Sequence, residues 1–545
     1  MNKIIRRILA IIPAVLVQVL WIMLLMNWLA PWAAVIELVL AILSLLFVLY
    51  MITKRGEGTY KMLWLLVIMA FPLAGALLYL IFGTDHTKRP LQKKLDTVRE
   101  FALQPSGGTE NLDEEVPRLA QTFRYVERMT GFPVCENQTA DYFPLGDDMF
   151  PSILEDLKKA EKYIFLEYFI VEHGVMLDNI VDILAQKVKE GVDVRFMYDD
   201  LGSLSTFSAE DVRKLKEKGL HCISFNPMVF LKGTLNYRDH RKMLIIDGRV
   251  AYSGGVNLAD EYINRYEKYG HWKDVGLRLT GPAVQNYTLM FLRFWNAFSE
   301  EPIQWGQKDG SVCMEDLKLK LADTRETKSL ETREKPKQAE ETEFSEGETS
   351  QNKSGAGKPH SVSDGYVLSY YDSPLGEQAV SNELYIELLS QAKEYAYFYT
   401  PYLLLGDALL DAFVRAAHRG VDVRIFMPGI PDKKLVFRMS HSFYPVLLEA
   451  GVRIYEYTPG FLHAKGCVID DVVGTVGTVN LDYRSLYLHF ENNSLFYKAS
   501  ILQDIKADFL DTQSKSREMI LGQNVKLTFW SWIFDGILRI FAPLC

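Results

Sequence analysis

An α/β protein with two tandem domains forming one pseudo-symmetric unit, preceded by N-terminal transmembrane helices, is the architecture this sequence predicts. Three observations point to it. Residues 1–82 hold three long apolar runs almost free of charge, two later segments repeat one strand–helix–glycine–strand pattern, and a strongly polar stretch separates those segments.

The apolar runs cover about residues 8–29, 33–52 and 62–82, with Glu37 as their one charge. Each matches the roughly 20 residues a helix needs to cross a hydrocarbon core. Three in tandem are unlike a cleaved signal peptide, whose shorter apolar core stands alone. Trp21, Trp28, Trp32 and Trp64 lie near the run ends, as interfacial aromatics do. Basic residues precede the first run (Lys3, Arg6, Arg7), follow the second (Lys54, Arg55, Lys61) and follow the third (Lys88, Arg89, Lys93, Lys94, Arg99). Three crossings put the last cluster opposite the other two, so the positive-inside rule selects no side. A re-entrant third run would change that, and Pro72 and Gly75 make it the run able to re-enter.

After this segment, 1–90, a polar and helical connector is expected over 91–134, then an α/β domain over 135–312. There a strand at Tyr163–Phe169 leads to apolar positions Ile180, Ile183, Leu184 and Val188 at helical spacing, a stop at Gly191 and a second strand from Val192. The domain over 363–545 repeats this, with Tyr395–Tyr399, then Leu410, Phe413, Val414 and Ala417, then Gly420 and Val421–Met427. Strand, helix and strand in that order form a right-handed βαβ unit on a parallel sheet. Between the domains, 313–362 reads as a charged disordered linker, because its isolated apolar residues cannot offset the entropy of ordering it.

The net charge of −9, from 60 Lys and Arg against 69 Asp and Glu, excludes a broad field for holding nucleic acid. An anionic substrate must be held by local cations. Five scattered cysteines, Cys135, Cys222, Cys313, Cys467 and Cys545, give neither a disulfide framework nor a thiolate zinc site.

The chemistry lies in a second level of the repeat. His240-x-Lys242-x-x-x-x-Asp247 recurs as His463-x-Lys465-x-x-x-x-Asp470, and Gly254 and Asn257 follow the first His at the same intervals as Gly477 and Asn480 follow the second. On an extended segment His and Lys two apart share a face, so each half offers an imidazole and an ammonium together. Two such sets with the amides of Asn257 and Asn480 would form a phosphoryl site that uses Lys in place of a divalent metal. Asp247 and Asp470 complete the motif but have the wrong parity for that face. With Asp247-Gly248 reading as a hairpin turn, they are expected to orient the motif through hydrogen bonds. Carboxylates able to orient the imidazoles are Asp274 and Glu491, at comparable places in the two repeats.

These motifs resemble those of the phospholipase D superfamily, and the order of parts resembles bacterial cardiolipin synthases. That order is membrane segment, first motif, second motif with Asn480-Leu481-Asp482-Tyr483-Arg484-Ser485 and Glu491-Asn492-Asn493, and an amphipathic end from Trp530 to Leu544. The first apolar run and the long linker are additions to it. The resemblance implies two phospholipase D-like domains, no cofactor, no metal, no nucleic-acid partner, and membrane-embedded action on phosphatidylglycerol and other membrane lipids at the cell membrane. It also implies a ping-pong phosphatidyl transfer. One of His240 and His463 would attack a phosphatidylglycerol, the other would protonate the leaving glycerol, and a second phosphatidylglycerol would take the phosphatidyl group to give cardiolipin. Lys242, Lys465, Asn257 and Asn480 would hold the non-bridging oxygens.

Two alternatives are a phospholipase D-type hydrolase and a non-catalytic membrane scaffold. Intact motifs in both halves disfavour the scaffold. Arg238, Arg241, Lys268 and Lys273 are read as cations that attract anionic headgroups, with surface solvation as the equal alternative, and His489 is assigned no catalytic role.

Overall fold

The computed structural model describes residues 16–21, 23–24, 30–53, 58–80, 88–98, 117–136, 139–227, 236–303, 365–376, 378–526 and 528–544. Most of the first apolar run and the expected linker lie outside these residues.

Among the described residues one helix, Ala34–Thr53, is long and apolar enough to cross a membrane. The third run corrects the expectation of a single helix over 62–82. Its helix Gly58–Ala70 breaks at Phe71, and Pro72–Leu78 turns back along it. Pro72 cannot donate to the preceding turn, which ends the first helix. The return is tight: a Cβ on Gly75 would lie 2.6 Å from the Val67 carbonyl oxygen. Tyr79 thereby reaches the Trp64 ring at 5.3 Å and the Phe47 ring at 5.0 Å.

Two large sheets form the rest. The first runs, edge to edge, Thr139–Phe143, Gly276–Thr280, Val250–Gly254, Met243–Ile246, Tyr163–Tyr168, Asp193–Asp199 and His221–Phe225. The second repeats the last five places as Val473–Gly477, Gly466–Ile469, Tyr395–Tyr399, Asp422–Pro428 and Arg453–Tyr457. The expected βαβ units supply the parallel pairs, Tyr163–Tyr168 with Asp193–Asp199 and Tyr395–Tyr399 with Asp422–Pro428. Each sheet is nevertheless mixed, because the hairpin that follows each HxK adds antiparallel strands.

The halves are interleaved. Helix Val284–Phe298 is buried nearly all round, with Tyr287, Phe291, Phe294 and Trp295 at 0 % exposure, as its apolar circumference requires. It is held to the second half by Tyr287, whose hydroxyl lies 2.9 Å from Ser494 Oγ. The connector is no loose spacer: in helix Pro117–Thr130, Phe123 and Val126 are buried, and Tyr125 donates to Glu383. Cys135–Glu136, counted with the first domain by sequence, pairs with Tyr366–Asp372 in the second sheet and covers its edge. Arg238–Asp239 likewise leaves the first half to pair with His489–Phe490.

Candidate active site

Both HxK triplets lie just before a sheet strand, Met243–Ile246 in one half and Gly466–Ile469 in the other, so they are held by strand ends and are not within strands. A two-residue or three-residue strand on the near side stitches each triplet to the opposite half. Arg238–Asp239 pairs with His489–Phe490, and the His240 amide donates to the Phe490 carbonyl at 2.9 Å. Gly460–Leu462 pairs with His271–Lys273, and the His463 amide donates to the Lys273 carbonyl at 2.7 Å.

This stitching delivers the carboxylates crosswise. His240 Nδ1 faces both oxygens of Glu491 at 2.9 Å, and His463 Nδ1 faces Asp274 Oδ2 at 2.6 Å. Each imidazole therefore takes its carboxylate from the other half. With Nδ1 engaged, Nε2 is the nitrogen left for chemistry. Lys242 and Lys465 each curl back to donate to the carbonyl of their own His, which fixes the ammonium beside the ring. Aromatic rings wall the cleft: Phe169 lies 4.9 Å from His240, and Tyr262 and Trp272 lie 5.5 and 5.6 Å from His463.

One difference between the two half-sites lies beside the orienting carboxylates. A Cβ on Gly255 would lie 1.9 Å from Asp274 Oδ1, so the missing side chain makes room for that carboxylate. Its counterpart is Thr478, which accepts from the Asn492 amide and donates its hydroxyl proton to Glu491. The Gly-Gly against Gly-Thr difference is visible in the sequence, but its meaning needs the carboxylates beside it.

Burial governs the electrostatics. It lowers His240 well below the ordinary imidazole range, with Lys242, His489, Lys465 and His463 adding to the effect. His463 falls to about 4 for the same reason, with Lys465 adding and Asp274 opposing. Burial brings Lys465 down to about 7 and Lys242 to about 8, against the pull of the carboxylates. It pushes Glu491 up to about 8, while Lys242 and Thr478 draw it back. Neutral imidazoles beside ammonium groups that gain from a nearby anion suit nucleophilic attack on a phosphodiester.

The structure separates the remaining motif residues from this cleft or ties them down. Asp247 and Asp470, which complete the HxKxxxxD motif, each sit beyond the four-residue strand that follows the HxK. Asp247 accepts from the amides of Glu161, Lys162 and Tyr163, and Asp470 from those of Lys393, Glu394 and Tyr395. Both occupy the left-handed φ of a hairpin turn, 54° and 53°. They anchor the start of the neighbouring strand. Asn257 accepts from Ile170 and donates to Tyr262, while Asn480 donates to Asp482, leaving each side-chain amide one further N–H. Three of the four cations read as headgroup attractors are fully buried in ion pairs: Arg238 with Asp199, Arg241 with Asp239 and Glu167, and Lys273 with Asp508. Lys268 pairs with Glu261. The pairs with Asp199, Glu167 and Asp508 were not legible in the sequence, since those acids lie far along the chain, whereas Asp239 and Glu261 are near neighbours of their cations.

His240, His489 and Glu491 bring ligand atoms within 4.8 Å of one another, the spacing of a possible cation site. Glu491 is already the partner of His240, and Lys242 stands beside both.

A pseudo-symmetric pair of HxK half-sites sharing crosswise carboxylates defines an enzyme of phosphodiester chemistry. Comparison with known proteins gives the rest. Residues 153–295 and 385–512 match the family described as cardiolipin synthase, phospholipase D-like domain, and residues 39–83 match the phospholipase D-nuclease N-terminal family. The chain is 31% identical to a cardiolipin synthase of Alkalihalophilus pseudofirmus, covering 95% of each chain. It is 32% identical to cardiolipin synthase 2 of Bacillus anthracis, over 88% of this chain and 86% of that one. An uncharacterized protein of Streptococcus mutans is 39% identical over 91% of this chain and 99% of that one. The crystal structure of phosphatidylserine synthase from Haemophilus influenzae shares the fold, with a TM-score of 0.50 at 15% identity over 78% of this chain and 98% of that one. The chain belongs to the cardiolipin synthase family of phospholipase D-like phosphatidyltransferases.

Proposed function

We propose that this enzyme makes cardiolipin and glycerol from two phosphatidylglycerols in a single cleft. The crosswise pairing of His240 with Glu491 and His463 with Asp274 carries the reading, because it gives one site two equivalent imidazoles. Nε2 of one His attacks the phosphorus of the donor lipid. The bond to the glycerol oxygen breaks, and the other His, which binding of the phosphodiester anion beside it allows to carry a proton, gives that oxygen its proton. This leaves a phosphatidyl-histidine. The second His then takes the proton of a terminal hydroxyl on the acceptor lipid, whose oxygen displaces the histidine from phosphorus. Lys242, Lys465 and the free N–H of Asn257 and Asn480 hold the non-bridging oxygens, so no metal or cofactor takes part. Hydrolysis is the second reading, favoured only if water reaches the phosphohistidine past Phe169, Tyr262 and Trp272.

The proposed setting is a membrane crossed by residues 8–29 and 33–53, with the hairpin of 58–80 re-entering from the side it starts on. The tight return at Gly75 supports this. All three basic clusters and the catalytic halves then share one face, which the positive-inside rule assigns to the cytoplasm. Helix Phe529–Phe541 lies against the hairpin helix and is fixed by Arg438 to Asp535 at 2.8 Å, with Phe534 and Ile537 exposed in the manner of an interfacial helix. Purified protein incubated with phosphatidylglycerol vesicles is the test. Cardiolipin with equimolar glycerol supports the reading, and phosphatidic acid alone would replace it with hydrolysis. Trapping labelled lipid on the enzyme and mapping the peptide identifies the nucleophile as His240 or His463.

A further inference from the structure

Tyr262 walls the cleft with its ring, but its hydroxyl has a place of its own. The residue is 1% exposed, and its ring lies 5.5 Å from that of His463 and 4.7 Å from that of Trp272. It sits on the short turn Asp260–Ile263, which is clamped from behind. Asn264, at a left-handed φ of 50°, accepts from the Trp272 amide at 2.7 Å and donates to the Trp272 carbonyl at 3.0 Å. At the far end of the side chain, the hydroxyl oxygen lies 2.7 Å from Asn257 Nδ2.

A neighbour fixes the direction of that bond. Asn257 Oδ1 accepts from the Ile170 amide at 3.0 Å, so the NH2 side of the amide faces Tyr262 and the phenol oxygen accepts. The phenol proton is then left over. Among the described residues no hydrogen-bond acceptor faces it, because the carboxylates around it are engaged elsewhere: Glu261 with Lys268 at 2.8 Å, Asp274 with His463 at 2.6 Å and Asp432 with Tyr402 at 2.6 Å. Burial, with these acids adding, holds the phenol well above its ordinary range, so it keeps its proton.

A buried O–H donor without an acceptor is costly, and a ligand oxygen relieves that cost. The hydroxyl stands beside the amide whose second N–H the transfer reading places on a phosphate oxygen, and the ring stands against His463. Two donors 2.7 Å apart can serve one phosphate group. In the other half the Asn480 amide meets Asp482, an acceptor already shared with the Ser485 amide, where the first half offers a donor.

We propose that the Tyr262 hydroxyl is a further donor to a non-bridging oxygen of the reacting phosphodiester, beside Asn257, and that its hydrogen bond strengthens as charge builds on that oxygen in the transition state. It gives up no proton, and no covalent bond to it forms or breaks. This rests on the reading that places Asn257 on the phosphate, and it adds a donor that lies outside the repeated motif.

Tyr262→Phe removes the hydroxyl and keeps the ring. Full-length wild type, Tyr262→Phe, Asn257→Ala and the double variant are assayed on phosphatidylglycerol vesicles for glycerol release, which transfer and hydrolysis both produce. For Tyr262→Phe, kcat should fall on the order of 10²-fold, with KM within about threefold of wild type. A hydroxyl that only orients Asn257 would cost nothing more once Asn257 is gone, whereas a donor in its own right should cost the double variant about tenfold or more against Asn257→Ala. A binding measurement needs no turnover. Orthovanadate, which takes five ligands as phosphorus does during transfer, should bind Tyr262→Phe about tenfold or more weakly than wild type, and inorganic phosphate within about threefold. Turnover of Tyr262→Phe within about twofold of wild type, a double variant equal to Asn257→Ala, or a Tyr262→Phe chain that fails to fold overturns the donor role. Phosphatidic acid as the lipid product of wild type overturns the transfer reading instead, since glycerol release still reports the rate.

Discussion

The half-sites turn on small differences at single residues. Gly255 leaves no room for a Cβ beside Asp274, so Gly255→Ala should displace that carboxylate and reduce kcat much as Asp274→Asn does, by a factor on the order of 10² to 10⁴. Thr478→Val removes the hydroxyl donor from buried Glu491 and should cost about 1–3 kcal/mol of stability, read as a lower melting temperature, whereas Thr478→Ser keeps the donor and should not. The lysines give a pH dependence with a definite sign. Lys465 at about 7 and Lys242 at about 8 are depressed by burial, and an anion binds their protonated forms better. Binding of inorganic phosphate should therefore take up protons, and its affinity should fall as pH rises through 7 to 8. Calorimetry in buffers of different ionisation enthalpy measures the uptake; an affinity flat from pH 6.5 to 8.5 would contradict the assignment. His240, Lys242, His463 and Lys465 were legible because equal spacing in two repeats is a sequence property. Which carboxylate serves which imidazole was not, since the pairing is made by docking one half on the other.

Elements set these residues in place, and the most exacting contact among them is the hairpin crossing at Gly75. Gly75→Val would press a side chain into the backbone at Val67 and should lower thermal stability in detergent by about 1–3 kcal/mol. Gly58→Ala, where nothing lies within 4 Å, is the control and should be neutral or better. Apolar length alone read 62–82 as one span; Pro72 and Gly75 carried the contrary signal, which became a hairpin only through contacts with Val67 and Trp64. The buried ion pairs show the converse. Arg238→Ala would leave Asp199 uncompensated in the interior and should cost about 3–5 kcal/mol, so its variant is expected to fail by unfolding, not by weaker lipid attraction.

At the scale of the whole molecule, each half completes the other. His240→Ala and His463→Ala should each abolish turnover, by a factor on the order of 10³ or more, where two independent sites would leave roughly half. Turnover should be insensitive to chelators, since lysines stand where a metal would; loss to a chelator and rescue by Mg²⁺ or Zn²⁺ would refute that. Cutting the chain within residues 304–364 and co-expressing the pieces should restore activity that neither piece has alone, because paired strands and the helix Val284–Phe298 already bind the halves. The repeat that predicts two domains hides this interleaving, which depends on short strands such as Arg238–Asp239 that carry no periodic signal. The exchange of carboxylates also governs how the enzyme fails. If heat or damage lets the halves drift apart, both imidazoles lose their orienting partners in the same movement. Attack and release then stop together, and the loosened protein falls silent instead of becoming a lipase that erodes the membrane around it.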